Sequence, residues 1–277
     1  MYLQPEFAAT LSEGERTFSF LFHLNGELYR EALGRKTLRF AHHGTYYFLK
    51  AHTGVGWREI FKNLLQFRLP VISALPEWNA IHRLQTIGID TVTPVGYGCE
   101  GHNPARRRSF LITEDLGKTV TLEELGARWK QPHVLTRSEV AFKRILLRRV
   151  GAITRTMHDS GVNHRDLYLC HFHIPAGSLS PETPSEAPRI YIVDLHRAQI
   201  RRRPPPQRWI VKDLAGLLFS SMDCGLTRQD RFRFIAAYSR TSVRNAFYAQ
   251  KSLWRQVDLR ARRLYEKHHR RSTRARS

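Results

Sequence analysis

The sequence predicts an α+β fold, sheet-rich to about Thr113 and mainly helical beyond Leu116, and three observations carry the prediction. Short apolar and aromatic runs, Tyr46-Tyr47-Phe48-Leu49 and Phe110-Leu111-Ile112, have the length and composition of strands. Leu146, Val150, Ile153 and Met157 recur at steps of three and four, with arginines on other faces and Gly161 after them, as in a core helix with its stop. Lys50, Glu77, Asp166 and Asp194 stand in that order within or beside such elements.

Along the chain, Lys50 closes the strand-like run from Tyr46. A lysine at a strand end is ordinarily solvated, so the position alone assigns nothing. From Trp57 to Arg68, Trp57, Ile60, Phe61, Leu64 and Leu65 follow helical spacing beside Lys62 and Arg68. Core packing is the expected role of this stripe, and an interfacial helix or a groove for an acyl chain is the alternative. Pro76 to Leu84 reads as a helix with Pro in its first turn and Gly88 beyond its end. Glu77 lies one and two turns before Ile81 and Leu84, on the apolar stripe. Two readings of it stay open. Either the carboxylate is wet and favoured by the helix dipole, or it is buried and needs a cation, for which Lys50 is the candidate, because an unpaired buried charge costs roughly several kcal/mol.

Ser109 to Thr113 is a strand that runs into Glu114, Asp115, Leu116 and Gly117. The core helix through Met157 delivers Asn163-His164-Arg165-Asp166, with His158 expected on the surface near its end and His164 expected to brace the loop through hydrogen bonds. Pro175 to Pro188 reads as a mobile hairpin tip between strands His171–Ile174 and Ile190–Val193, so that Asp194 follows the second strand. Arg201-Arg202-Arg203 before three prolines suits either contact with an anion or a polyproline spacer. Lys212 to Ser221 reads as a helix opened by Asp213.

A His-Arg-Asp loop after a helix, a later isolated Asp, and an upstream strand Lys with a helix Glu resemble the layout of a protein-kinase-like phosphotransferase. That layout implies a single two-lobed kinase-like domain: N-lobe about 1–113, hinge about 114–117, C-lobe about 118–250 and a basic tail at 251–277. Main-chain groups around Glu114 and Leu116 would then meet the adenine. Three features depart from it. The expected phosphate-covering stretch between Tyr29 and Phe40 has only Gly34. His171 stands where a second metal ligand is usually Asn, and imidazole is a poorer Mg²⁺ ligand than oxygen. Asp194 is followed by Leu195 and His196 rather than Phe-Gly, which argues against control by an activation loop.

The blocks Leu28-Tyr29-Arg30-Glu31, Thr37-Leu38-Arg39-Phe40, Phe61-Lys62-Asn63-Leu64-Leu65, Leu69-Pro70-Val71, Glu77-Trp78-Asn79-Ala80-Ile81, Asn163 to Asp166, Cys170-His171-Phe172, Val193 to Gln199 and Lys212-Asp213-Leu214-Ala215 together resemble the lipopolysaccharide core heptose(I) kinase family, over about Tyr29 to Tyr238. The resemblance implies transfer of the ATP γ-phosphoryl group to the first heptose of the lipopolysaccharide inner core, at the cytoplasmic face of the inner membrane. It makes Asp166 the catalytic carboxylate, Lys50 the phosphate contact, Glu77 its brace and Asp194 the Mg²⁺ ligand, with His171 as the candidate second one. Asp213 then resembles the residue that anchors the catalytic loop from below. Acyl carrier protein is a further partner that the resemblance implies.

Composition is consistent with this reading and less specific. No stretch reaches 18 consecutive apolar residues and no signal-peptide core opens the chain, so a cytoplasmic protein is expected. Cys99, Cys170 and Cys224 form no metal motif and are expected as core thiols. The formal charge of +21 attracts anions without identifying them. Residues 251–277 carry ten Lys or Arg against Asp258 and Glu266, a local excess of eight. Near an anionic leaflet each is worth about 1 kcal/mol, so this segment either holds the protein at a membrane or is a solvated helix that frays from about Arg270. A nucleic-acid-binding protein is the alternative from another class, without any helix-turn-helix, zinc or stacking motif to support it. A kinase-like scaffold without catalysis is the third.

Overall fold

The computed structural model describes residues 1–32, 34–65, 70–132, 134–179 and 188–274. Gln66, Phe67 and Arg68 of the expected stripe, Leu69 of the family-like block, residues 180–187 of the expected hairpin tip and residues 275–277 of the tail lie outside them. The chain divides into two compact units. Residues 1–83, 92–117 and 195–197 form the first, and residues 84–91, 118–194 and 198–277 the second.

The first unit is built on a six-stranded antiparallel sheet. Its strands are β1 (Tyr2–Leu3), β2 (Glu27–Ala32), β3 (Arg35–His42), β4 (Thr45–His52), β5 (Pro94–Glu100) and β6 (Arg108–Glu114), in the order β1-β5-β6-β4-β3-β2. β3 and β4 stay in register from Arg35 opposite His52 to His42 opposite Thr45, because His43 and Gly44 both take positive φ (46° and 76°), the two-residue turn whose twist suits a hairpin. The strand expected to end at Lys50 continues to His52, which puts Lys50 inside the ladder between Thr37 and Leu111. Only residues 33 and 34 separate β2 from β3. The short helices α1 (Pro5–Ala9) and α2 (Phe18–Phe22) set Phe7, Phe18, Leu21 and Phe22 against Leu38, Leu49 and Phe110 of the sheet to make its core. Helix α3 (Gly56–Leu65) follows β4, and α4 (Leu75–Thr86) carries Glu77, with Trp78 stacked on Tyr97 of β5.

The second unit is mostly helical. Its helices are α5 (Leu122–Trp129), α6 (Arg137–Asp159), α7 (Gln207–Ser220), α8 (Arg228–Ser239), α9 (Val243–Ala249) and α10 (Lys251–Arg274). Thr121, Thr136 and Thr227 each close a capping box at N3, which fixes where α5, α6 and α8 begin. Short strands complete the unit: β7 (Thr119–Thr121), β8 (Val162–Asn163), β9 (Phe172–Pro175), β10 (Tyr191–Ile192) and β11 (Gln199–Ile200). β9 and β10 pair across the long insertion, with Tyr191 opposite His173, and β8 pairs with β11. The basic segment after Lys251 stays helical through Arg274 rather than fraying from Arg270, since Trp254, Val257 and Ala261 bury one face against Leu214 and Tyr238.

Several expectations are corrected. Asp213 lies in the middle of α7, because the prolines before Gln207 act as a helix start with Pro206 at the cap. His158 is buried, with Nδ1 2.9 Å from the Tyr238 hydroxyl, since the last turn of α6 packs inward. None of the thiols is a core residue: Cys99 is exposed and the other two are half-buried. The α3 stripe is not core either, since only Ile60 of its five apolar residues is buried.

Candidate active site

In the first unit, Lys50 Nζ donates to Glu77 Oε1 at 2.5 Å. The sheet and α4 bury the Glu77 side chain to 3% exposure, while Lys50 keeps 27%. Of the two readings open for Glu77, the structure therefore shows the buried, paired one. Its second oxygen, Oε2, has no hydrogen-bond partner among the described residues. Glu114 ends β6 with its N–H given to the Thr93 carbonyl at 2.9 Å, so any main-chain contact it offers a ligand comes from its own carbonyl. Leu116, two residues on, is half-buried. Asp115 between them ties the segment down: Arg39 Nε donates to its Oδ2 at 2.7 Å, and Arg39 lies 3.8 Å from the centre of the Tyr46 ring. Sequence reasoning missed this pair, which a separation of 76 positions hides.

In the second unit the catalytic-loop candidates are assembled around one buried carboxylate. Gly161 ends the approach from α6 at φ 83°, and a Cβ there would collide with the Arg201 carbonyl, so the tight entry into β8 requires glycine. Asp213, fully buried on α7, accepts the main-chain N–H of His164 on Oδ2 at 2.8 Å and that of Arg165 on Oδ1 at 2.7 Å. Arg165 is thereby held at φ 73°, a left-handed conformation that costs a non-glycine residue about 1 kcal/mol or more. The strain turns the chain immediately before Asp166.

Asp194 is held in the same way. Val193, just before it, donates its N–H to the His171 carbonyl at 3.1 Å, and its own carbonyl faces His164 Nε2 at 3.0 Å. Asp194 follows at φ 61°. Burial lowers the His164 pKa, against the opposing pull of Asp213, so the ring is neutral and Nε2–H is the donor to Val193. His171 stacks on His164 with ring centres 5.5 Å apart, and its Nδ1 donates to the Asp166 carbonyl at 2.8 Å. That bond leaves Nε2 directed at Asp194 Oδ2, 3.6 Å away. An imidazole lone pair and a carboxylate oxygen are both groups that bind cations. Among the described residues no cluster of three or more His, Cys, Asp or Glu side chains is able to hold a metal alone.

Two further residues bear on this loop. Lys212 precedes Asp213 on α7, and its Nζ lies 3.6 Å from Asp166 Oδ1. The Lys212-Asp213 pair was visible in the sequence, but a charge that precedes the anchor by one residue carries no signal of where it points. Arg201, for which an anion contact was one of two open readings, is engaged by the Asn163 and Gln199 side chains, whereas Arg202 and Arg203 are exposed.

This mixed sheet-and-helix fold, with its lysine–glutamate pair and its braced His-Arg-Asp loop, is that of a protein-kinase-like phosphotransferase. More particularly, the chain belongs to the lipopolysaccharide kinase (Kdo/WaaP) family, whose model matches residues 21–238. It is 44% identical over 261 residues to the lipopolysaccharide core heptose(I) kinase WaaP of Escherichia coli strain K12, covering 94% of this chain and 95% of that one. To the protein of the same description from Pseudomonas aeruginosa it is 43% identical over 259 residues, covering 93% of each. Among solved structures it is similar to WaaP in complex with acyl carrier protein, with a TM-score of 0.76 and 37% identity over 95% of this chain and 98% of that one.

Proposed function

We propose that the protein transfers the γ-phosphoryl group of ATP to a hydroxyl of the first heptose of the lipopolysaccharide inner core, working at the cytoplasmic face of the inner membrane. One observation carries the reading: the two hydrogen bonds that Asp213 accepts from the main-chain N–H groups of His164 and Arg165, which fix the loop ahead of Asp166. Preorganisation of this kind is what phosphoryl transfer asks of a protein, since positioning and charge stabilisation supply nearly all of the catalysis. Asp166 takes the proton from the attacking sugar hydroxyl. Lys50, oriented by Glu77, holds the nucleotide phosphates. The carbonyl of Glu114 and the main chain at Leu116 receive the adenine edge.

Asp194 and His171 Nε2 are the groups that would hold Mg²⁺, and the tautomer forced on His171 by Asp166 fits that role. When bound, the ion would supply neutralisation of the charge on the phosphate oxygens. A lipid-linked acceptor explains the use of a basic surface, because anionic headgroups attract it.

Acyl carrier protein is the second partner we assign, supported by its presence with the structural neighbour. The second unit holds an apolar cavity of about 400 Å³, lined by residues such as Leu122, Trp129, Leu146, Leu217 and Phe234. Such a recess suits a carrier-borne acyl chain, and the protein's positive charge suits an acidic carrier.

The test is ATP-dependent incorporation of phosphate into heptose-containing, phosphate-free lipopolysaccharide, with protein and nucleic acid as controls. Incorporation into the lipopolysaccharide alone is the expected result. Equal labelling of the controls, or none of the three, overturns the reading.

A further inference from the structure

Helix α3 turns its apolar stripe outward. Trp57, Phe61, Leu64 and Leu65 are 49%, 57%, 47% and 80% exposed, and at the helical step they share an arc of about 100°. Ile60 on the flank of that arc is 5% exposed, which marks the side by which the helix is covered by protein while the rest of the stripe faces outward. The Trp57 and Phe61 rings stack with centres 5.8 Å apart, which orders the aromatic part of the face in advance. Positive charge borders it. Arg58 and Lys62 are exposed on α3, and exposed Arg106 follows Ala105, whose carbonyl accepts the Gly56 N–H at 3.0 Å at the start of the helix.

We infer that α3 is a membrane-contact helix that inserts Trp57, Phe61, Leu64 and Leu65 into the headgroup boundary of an anionic bilayer, with Arg58, Lys62 and Arg106 on the lipid phosphates. An aromatic-and-leucine face with cations beside it is the side-chain pattern of helices that lie in the interface plane. No helix among the described residues is long and apolar enough to cross a membrane. The inference rests on the proposed lipid-linked acceptor, and it adds the element that brings the enzyme to that acceptor. Insertion through side chains also distinguishes α3 from α10, whose exposed face is cationic and lacks such a stripe.

The experiment is sedimentation of the full chain with vesicles of phosphatidylglycerol and phosphatidylethanolamine, and with vesicles of phosphatidylcholine alone. The parent is expected to bind the anionic vesicles. Phe61→Glu/Leu65→Glu is expected to lose about tenfold or more in binding, since charge placed on the inserting face has to be desolvated. Its melting temperature should stay that of the parent, because both side chains are exposed. Arg58→Ala/Lys62→Ala is expected to bind more weakly and with a shallower dependence on salt. Transfer to a small soluble heptoside should stay within about twofold for both variants, as neither touches the proposed phosphoryl-transfer residues. Binding by Phe61→Glu/Leu65→Glu equal to that of the parent overturns the inference. So does failure of the parent to bind anionic vesicles, loss of binding only when Arg260, Arg262, Arg263 and Lys267 of α10 are neutralised, or loss of acyl-carrier-protein capture with vesicle binding retained. Should the parent bind vesicles but transfer nothing to the soluble heptoside, the kinase reading fails on its own and the surface assignment is judged by the vesicles.

Discussion

The ammonium of Lys212 stands 3.6 Å from the carboxylate of Asp166, carried there by the same helix whose Asp213 clamps the catalytic loop. One turn of α7 thus fixes both the backbone before Asp166 and the charge beside its side chain. If Lys212 positions that carboxylate, Lys212→Met should lower kcat by about 10²-fold, the scale of losing one preorganised charge contact. KM for ATP should stay within about twofold, and Lys212→Arg should recover part of the loss. A rise in KM with kcat unchanged would show that Lys212 serves nucleotide binding instead.

Asp166→Asn should abolish transfer and leave ATP affinity nearly intact, because the assigned role is on the acceptor hydroxyl and not on the nucleotide. Loss of a general base costs about 10² to 10⁴ in rate, and a misplaced acceptor adds to it. Turnover within about threefold of the parent, measured beside nucleotide binding by calorimetry, sinks the assignment.

Lys50 and Glu77 are in direct contact, so their substitutions should not add. Lys50→Ala and Glu77→Ala are each expected to impair transfer, and the double variant to be no slower than the poorer single one. Rate losses that sum in free energy would mean that the pair does not act as a unit in catalysis.

The sheet-then-helix order was legible because strand runs such as Phe110-Leu111-Ile112 and the α6 stripe announce their periods locally. The Lys50–Glu77 contact was legible only as one of two readings, since a carboxylate on an apolar stripe needs a cation if it is buried and none if it stays wet. What stayed hidden depends on three-dimensional placement. His158 sits at a helix end yet is buried because Tyr238 and Asp213 reach it from distant segments. The α3 stripe has the spacing of a core face, and periodicity does not say whether a core faces it. The left-handed backbone at Arg165 has no signature in residue type, since arginine is not among the residues that favour that region.

Acid should destabilise the fold early. Burial lowers the pKa of His164 and His173, and burial with Arg35, His196 and Lys50 nearby pushes His52 down to about 3. Each folded value lies below the unfolded value of about 6.5. The unfolded chain therefore takes up protons that the folded one refuses, and stability present above about pH 6.5 is lost as the pH falls below it. The limit is about 1.4 kcal/mol per pH unit for each histidine. Urea midpoints should fall between about pH 7 and pH 5, and His52→Leu should flatten the fall. Midpoints that do not move over this range contradict the assignment of buried neutral rings.

Lys143 on α6 and Asp230 on α8 form an enclosed ion pair of the second unit, 2.9 Å apart with each side chain 6% exposed. Lys143 Nζ also donates to the Gly225 carbonyl at 2.5 Å, and Asp230 closes the Thr227 capping box, so each charge has partners beyond the pair. Burial alone would raise the Asp230 pKa, but hydrogen bonds from Lys143 and Thr227 hold it below its ordinary value. Lys143→Met leaves a carboxylate buried with Arg233, 2.8 Å away and 27% exposed, as its remaining cation among the described residues. The expected loss is about 3 kcal/mol or more, as for other buried pairs cut on one side. Arg233→Met should cost less than about 1 kcal/mol, since that arginine is partly solvated. Urea unfolding of the two variants at neutral pH decides the point. Equal losses would show that burial does not set the difference, and a loss under about 1 kcal/mol for Lys143→Met would show that the pair is dispensable to the α6–α8 packing.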